Sequence, residues 1–269
     1  KYVKGGNFMH RNIYKIILAV SLVLIIVSTV NIIILSREYQ AGINEYKALE
    51  KYVEIVDDSK PAQEDREETQ EEIKESVIPV SLEINFTQLK TINEDIVGWL
   101  YYEPLDLSYP IVRGNDNEYY TLYTFEKEKN SSGAIFMDFL NRPNFQDFNT
   151  IIYGHNMRNG TMFGSLKKLL NDSSIIEKSP YFYIFTETNA FMYEIASVYI
   201  TNSESATYDL IETEEDQSNY IDYVKGVSTW SWDKEIVPQD KIVTLSTCHG
   251  LHSTNRTVVH GVLIAAEDR

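Results

Sequence analysis

The chain has 269 residues, 43% of them hydrophobic, enough for one large folded domain or two small ones. Forty acidic against 24 basic side chains leave a formal charge of -16, which argues against the basic footprint of a nucleic-acid binder. A single cysteine excludes an internal disulfide, and 19 tyrosines with only 12 glycines favour a strand-rich domain with half-buried aromatic faces.

Residues 1–15 carry Lys1, Lys4, Arg11 and Lys15, and residues 16–35 are an almost unbroken apolar run of 20. At 1.5 Å per residue such a run makes a helix of about 30 Å, the thickness of a bilayer's hydrocarbon core. It has no polar stripe, as a buried core helix would. Arg37-Glu-Tyr follows it, where a signal peptide would show a small-residue cleavage site. It reads as a transmembrane anchor. The basic residues before it keep the N-terminus in the cytoplasm and place all that follows outside the cell.

Residues 37–56 have helical composition and read as a stalk. Residues 57–76 hold nine acidic and three basic side chains, one proline and almost nothing apolar. Such a stretch cannot bury enough surface to offset its ordering entropy. Residues 36–76 are therefore assigned to stalk and linker, and the folded domain to residues 77–269.

Within that domain Phe86, Leu89, Ile92 and Ile96 recur at helical spacing, which predicts a helix that stops at Gly98. Strands are expected at 109–112, 134–137, 150–153, 181–185, 191–200, 241–247 and 257–265. Helical pieces are expected at 118–124 and 162–170, with a longer one at 214–227. Seven or eight strands with intervening turns predict a mainly β domain, a closed barrel decorated with helices.

The candidate chemistry lies at strand ends. Cys248 follows the apolar run Ile242, Val243, Leu245 and precedes a polar turn, His249-Gly-Leu-His-Ser-Thr-Asn. A free cysteine is often just a small buried apolar side chain, but one at the join of rigid strand and loop is well placed to be a nucleophile. His155 ends the strand Ile151-Ile-Tyr in the same way and could serve as its proton partner. Arg256 opens the last strand, eight positions after Cys248. It would supply a permanent cation with several donors to a developing oxyanion, a role lysine fills less well. His249 is adjacent to Cys248 on a strand and so faces away from it. His260 lies inside the last strand. No Cys-x-x-Cys, His-Glu-x-x-His or glycine-rich phosphate loop is present; Cys248, His249 and His252 are close enough in sequence to leave zinc as a minor alternative, and no metal or cofactor is assigned.

The combination Thr244-Leu-Ser-Thr-Cys248, Arg256 and Tyr153-Gly-His155 resembles the sortases, membrane-anchored cysteine transpeptidases of Gram-positive bacteria. Class B is most similar, through Ile92-Asn-Glu-Asp-Ile-Val-Gly-Trp-Leu100, Asp116-Asn-Glu-Tyr-Tyr120 and a helical insertion at 204–232 before the cysteine strand. The resemblance covers about residues 85–265. It implies a sortase barrel with an N-terminal helix, and Cys248 as the nucleophile attacking a threonine carbonyl in the C-terminal sorting motif of a secreted protein. It also implies His155 as acid and base, Arg256 as oxyanion partner, and an amine of the peptidoglycan precursor as acyl acceptor. Asn117, Tyr153 and Ser246 would line the peptide groove. The chain departs from class B at His249, where many members carry an acid, and at Thr121, often leucine. Two other cysteine enzymes fit less well. An L,D-transpeptidase carries Ser-His-Gly-Cys with an arginine two positions on, and a papain-like hydrolase places its cysteine before its histidine. A non-catalytic adhesion module on a stalk is the non-enzyme alternative.

Overall fold

The computed structural model describes residues 6–56, 77–209, 211, 213–230, 236–248 and 254–269. Helix α1 (Gly6–Leu49) runs for 44 residues, about 66 Å. Residues 13–37 are exposed on every side, and the polar Thr29 returns its hydroxyl to the Ile25 carbonyl at 2.8 Å. Among the described residues this is one helix long and apolar enough to cross a membrane.

Beyond the apolar run α1 changes character. Gly42, Tyr46 and Leu49 lie at i, i+4 and i+7 and are buried against the domain. Strand β1 (Val53–Val56) then pairs antiparallel with β2 (Ser81–Ile84), Val53 opposite Ile84. The stretch read from the sequence as a stalk thus packs on the domain at its far end. Tyr46 and Leu49 belong to the main core, because the last turns of α1 present an apolar face that the barrel covers. The acidic linker, 57–76, lies outside the described residues.

Helix α2 (Phe86–Ile92) is capped by Asn85, whose side chain accepts from the Gln88 amide at 3.0 Å. It ends one turn earlier than its periodicity suggests. Asn93 has an extended backbone, and β3 (Ile96–Tyr102) begins where β-branched and aromatic residues replace helix formers. Ile96 therefore belongs to a strand, and that strand is the eighth of the barrel. A turn through left-handed Asp106 leads to β4 (Leu107–Val112). Then come α3 (Tyr119–Leu122), β5 (Ile135–Met137) and β6 (Asn149–Tyr153). The helix expected at 162–170 is mostly turns, followed by the short α4 (Lys168–Asn171) and α5 (Ser174–Lys178). Strands β7 (Tyr181–Phe185) and β8 (Asn189–Asn202) form a hairpin.

Helix α6 (Glu214–Val227) is the insertion before the cysteine strand. Thr213 and Asp216 form a capping box at its start, with Lys225 in its last turn. Its face of Tyr220, Ile221 and Val224 packs on Phe148, Val258 and Val262, each buried side chain contributing about 1.5–3 kcal/mol. Strands β9 (Ile242–Cys248) and β10 (Asn255–Asp268) complete the sheet.

The eight strands β3 to β10 close into a barrel in the order β10-β8-β7-β3-β4-β5-β6-β9, which leaves no open edge. Two of its pairings are parallel, β4 with β5 and β6 with β9. The second positions the site, because parallel neighbours end at the same rim.

Candidate active site

Strands β6 and β9 run side by side with Tyr153 opposite Ser246, and the Gly154 amide extends the ladder to the Ser246 carbonyl at 3.2 Å. His155 follows directly. Strand β10 lies on the other side of β9, antiparallel, with Arg256 opposite Cys248. The ends of three adjacent strands thus bring the backbones of His155, Cys248 and Arg256 to one rim of the barrel.

At that rim lies a cavity of about 320 Å³ whose walls include His155 and Arg256 together with Asn117, Tyr153 and Ser246. All three residues expected in the groove therefore share one hollow with the histidine and the arginine. His155 is half-buried, and its Nε2 lies 2.7 Å from the Thr121 carbonyl. A carbonyl can only accept, so Nε2 carries hydrogen, and in the neutral ring Nδ1 holds the lone pair. Arg256 is half-buried too, and its Nη1 donates to the Asn255 carbonyl at 3.2 Å.

Several residues in and behind the cavity walls were not singled out from the sequence. Asp138 stands behind the wall and holds two of the lining side chains. Its Oδ2 accepts from Tyr153 Oη at 2.9 Å and from Asn117 Nδ2 at 2.8 Å, while Oδ1 accepts from the Leu140 amide at 2.9 Å. Asn117 Oδ1 takes the Phe139 amide at 3.0 Å, so the amide is held at both ends. Burial, and then the Asp138 charge, push the Tyr153 phenol far above its ordinary range, with Arg256 opposing weakly. Tyr153 therefore stays a protonated donor. Tyr208 stacks on Tyr153 with ring centroids 6.3 Å apart, and its hydroxyl lies 2.7 Å from Ser246 Oγ. Thr121 and Phe136 complete the near wall. The one available signal was for Asp138, an acid directly after the apolar run Ile135-Phe-Met137.

His260 is elsewhere. It is fully buried between β9 and α6, with Nδ1 2.8 Å from Thr244 Oγ1 and Nε2 2.8 Å from Tyr199 Oη. Thr244 donates its proton to Asn149 Oδ1 at 2.6 Å, so it accepts from Nδ1–H, and Tyr199 donates to Nε2. Burial lowers the His260 pKa to about 3, which keeps this histidine neutral and structural. His249 and His252 lie outside the described residues.

A closed barrel with a cysteine at one strand end, and a histidine and an arginine at the ends of its two neighbours, is the framework of a barrel-based cysteine acyltransferase. A sortase domain model matches residues 100–264. The sortase B of Listeria monocytogenes is 36% identical over 182 residues, 65% of this chain and 72% of that protein. The sortase B of Staphylococcus aureus is 34% identical over 182 residues, 66% and 74%. The X-ray structure of Clostridium perfringens sortase B superposes with a TM-score of 0.63 at 34% identity, over 67% of this chain and 100% of that one. A Staphylococcus aureus sortase B–substrate complex superposes with a TM-score of 0.62 at 34% identity, over 66% and 84%. The chain belongs to the sortase family, and it is a cysteine transpeptidase of cell-wall protein sorting.

Proposed function

We propose that Cys248 is the acyl-carrying nucleophile, His155 the proton-transfer residue and Arg256 the oxyanion partner, and that the acceptor is an amine of the peptidoglycan precursor. The observation that carries this reading is the β6-β9-β10 register, which brings these three residues to one rim. The Cys248 thiolate attacks the threonine carbonyl of the sorting motif. Negative charge moves to the carbonyl oxygen, where the Arg256 guanidinium offers a fixed cation and two parallel donors. His155 gives its proton to the departing amine as the C–N bond breaks, leaving a thioester on Cys248. In the second half the incoming amine attacks that thioester and loses a proton to His155. The new amide forms and the thiolate is released.

Asn117, Tyr153 and Ser246 form the peptide groove in this reading, with Asp138 and Tyr208 fixing their orientation. The anchor α1 crosses the membrane with the lysine- and arginine-bearing N-terminus inside, so the barrel meets secreted proteins at the outer surface. The test is mass spectrometry of the purified protein incubated with a sorting-motif peptide library and an amine. A thioacyl adduct on Cys248, absent in Cys248→Ala, is expected. Undiminished turnover in Cys248→Ala would refute the assignment.

A further inference from the structure

We infer that the domain-facing turns of the anchor helix, residues 38–49, are a positioning element for His155. This rests on the proton-transfer role given to His155 above, and it assigns a catalytic consequence to a segment that reads in sequence as a spacer.

The helix grips both segments that enclose the histidine. On one side Tyr46 Oη donates to the Gly133 carbonyl at 2.6 Å and accepts from the Phe125 amide at 3.3 Å. Gly133 is left-handed, with φ +54, and a Cβ there would lie 3.0 Å from His155 Cδ2 and 2.6 Å from the Tyr120 carbonyl. The bare Gly133 backbone therefore forms a wall against the imidazole. The next amide, Ala134, bonds the Tyr120 carbonyl at 2.9 Å, and the adjacent Thr121 carbonyl holds His155 Nε2. Tyr46 is thus two contacts from the ring.

On the other side Tyr39 Oη donates to Asn159 Oδ1 at 3.2 Å and accepts from the Asn159 amide at 3.3 Å. Asn159 lies in the loop that leaves His155. Between the two grips, the Glu38 carbonyl takes Asn130 Nδ2 at 2.8 Å, and its carboxylate takes the Ser131 amide at 2.9 Å. Gly42 lets the helix approach this turn, since a Cβ there would stand 2.8 Å from Ser132 Oγ and 3.0 Å from Asn130 Oδ1. Tyr39, Gly42 and Tyr46 do not line the cavity that holds His155, so they act on chemistry only through the two segments.

Asn117, Tyr153 and Ser246 are held by Asp138 and Tyr208 instead, so peptide binding is independent of the grip. Loosening the helix should lower kcat and leave the KM for peptide alone. The experiment uses the full chain in phosphatidylglycerol-containing nanodiscs with a soluble sorting-motif peptide and a soluble amine. Tyr46→Phe keeps the ring against Tyr109 and removes one hydroxyl; Gly42→Leu wedges the helix away from the turn.

For Tyr46→Phe we expect kcat to fall about threefold to tenfold, the value of one buried hydrogen bond, with KM within twofold of the parent. The ¹⁵N titration of the His155 imidazole should move with it. Unchanged kcat and an unchanged His155 titration in both variants would overturn the inference, even if thermal stability fell, because the grip would then be a structural dock alone. Should Gly42→Leu fail to fold, Tyr46→Phe decides by itself. His155→Ala separates the premise: if it retains turnover, the proton-transfer role falls, and the His155 titration in Tyr46→Phe still decides whether the helix positions the ring.

Discussion

The buried histidine sets a pH dependence of folding that can be worked out from the structure. His260 has a folded pKa of about 3 against an ordinary 6.5, and desolvation is the cause. The folded pKa lies below the unfolded one, so the unfolded chain takes up a proton first as pH falls. Stability from this group is complete above about pH 6.5 and is lost progressively towards pH 3. At about 1.4 kcal/mol per pH unit the loss at pH 5 is about 2 kcal/mol. That is a large share of the roughly 5–15 kcal/mol that holds a domain folded. The phenols around it, Tyr199 and Tyr220, are pushed upward by burial and do not titrate in this window. Urea unfolding of the parent and His260→Gln between pH 7 and pH 4.5 is the assay. Glutamine keeps a donor and an acceptor for Thr244 and Tyr199 but cannot take a proton. The parent should lose about 2 kcal/mol more than the variant on going from pH 7 to pH 5. Parallel stability curves, within about 0.5 kcal/mol, would show that His260 is hydrated or protonated in the folded state and would refute the reasoning.

Arg256→Lys keeps the charge but not the forked donor geometry, and should lower kcat by about 10²–10³ with the peptide KM little changed; near-parent kcat/KM would remove the oxyanion role. Asp138→Ala leaves the Tyr153 hydroxyl and the Asn117 amide without their shared acceptor. It should raise the peptide KM about tenfold and cost about 1–3 kcal/mol in thermal or urea unfolding, whereas unchanged KM would show that these two residues do not touch peptide. Tyr208→Phe removes the bond to Ser246 while keeping the stack on Tyr153, so KM should rise about threefold to tenfold with no change in the rate of thioacyl formation at saturation; a change confined to that rate would assign Tyr208 to the chemistry instead.

The strand-end positions in the candidate site were legible from local pattern. Cys248, His155 and Arg256 each stand where an apolar strand meets polar turn residues, and strand ends can be located from alternation and turn chemistry alone. The partners that orient Asn117, Tyr153 and Ser246 were not readable in the same way. Asp138 and Tyr153 are 15 residues apart, Tyr208 and Ser246 are 38 apart, and nothing local couples the members of either pair. Asp138 meets Tyr153 because β5 pairs with β6, and Tyr208, which follows β8, reaches Ser246 on β9 because β8 and β9 both flank β10; each is a fact of strand order. Ile96 was misassigned for a related reason. Its spacing from Phe86 fits a helix, but Asn93 turns the chain into an extended backbone, and pairing with β4 and β7 then decides in favour of strand.

The long N-terminal helix divides the two kinds of knowledge most clearly. Twenty mostly apolar residues after a basic start make a helix long and apolar enough to cross a membrane, and this follows from composition alone. The nature of the following turns depends on burial, which composition does not report. Tyr39, Gly42 and Tyr46 read as an unremarkable helical stretch, and they become a grip only where Gly133 and Asn159 come up against them. The sequence by itself determined a helix long and apolar enough to cross a membrane, a strand-rich domain and the strand-end positions of Cys248, His155 and Arg256. The barrel's closure alone decided which side chains hold Asn117, Tyr153 and Ser246, and that the end of the long N-terminal helix reaches the wall behind His155, because contacts between residues more than 80 positions apart exist only once the strands have taken their order.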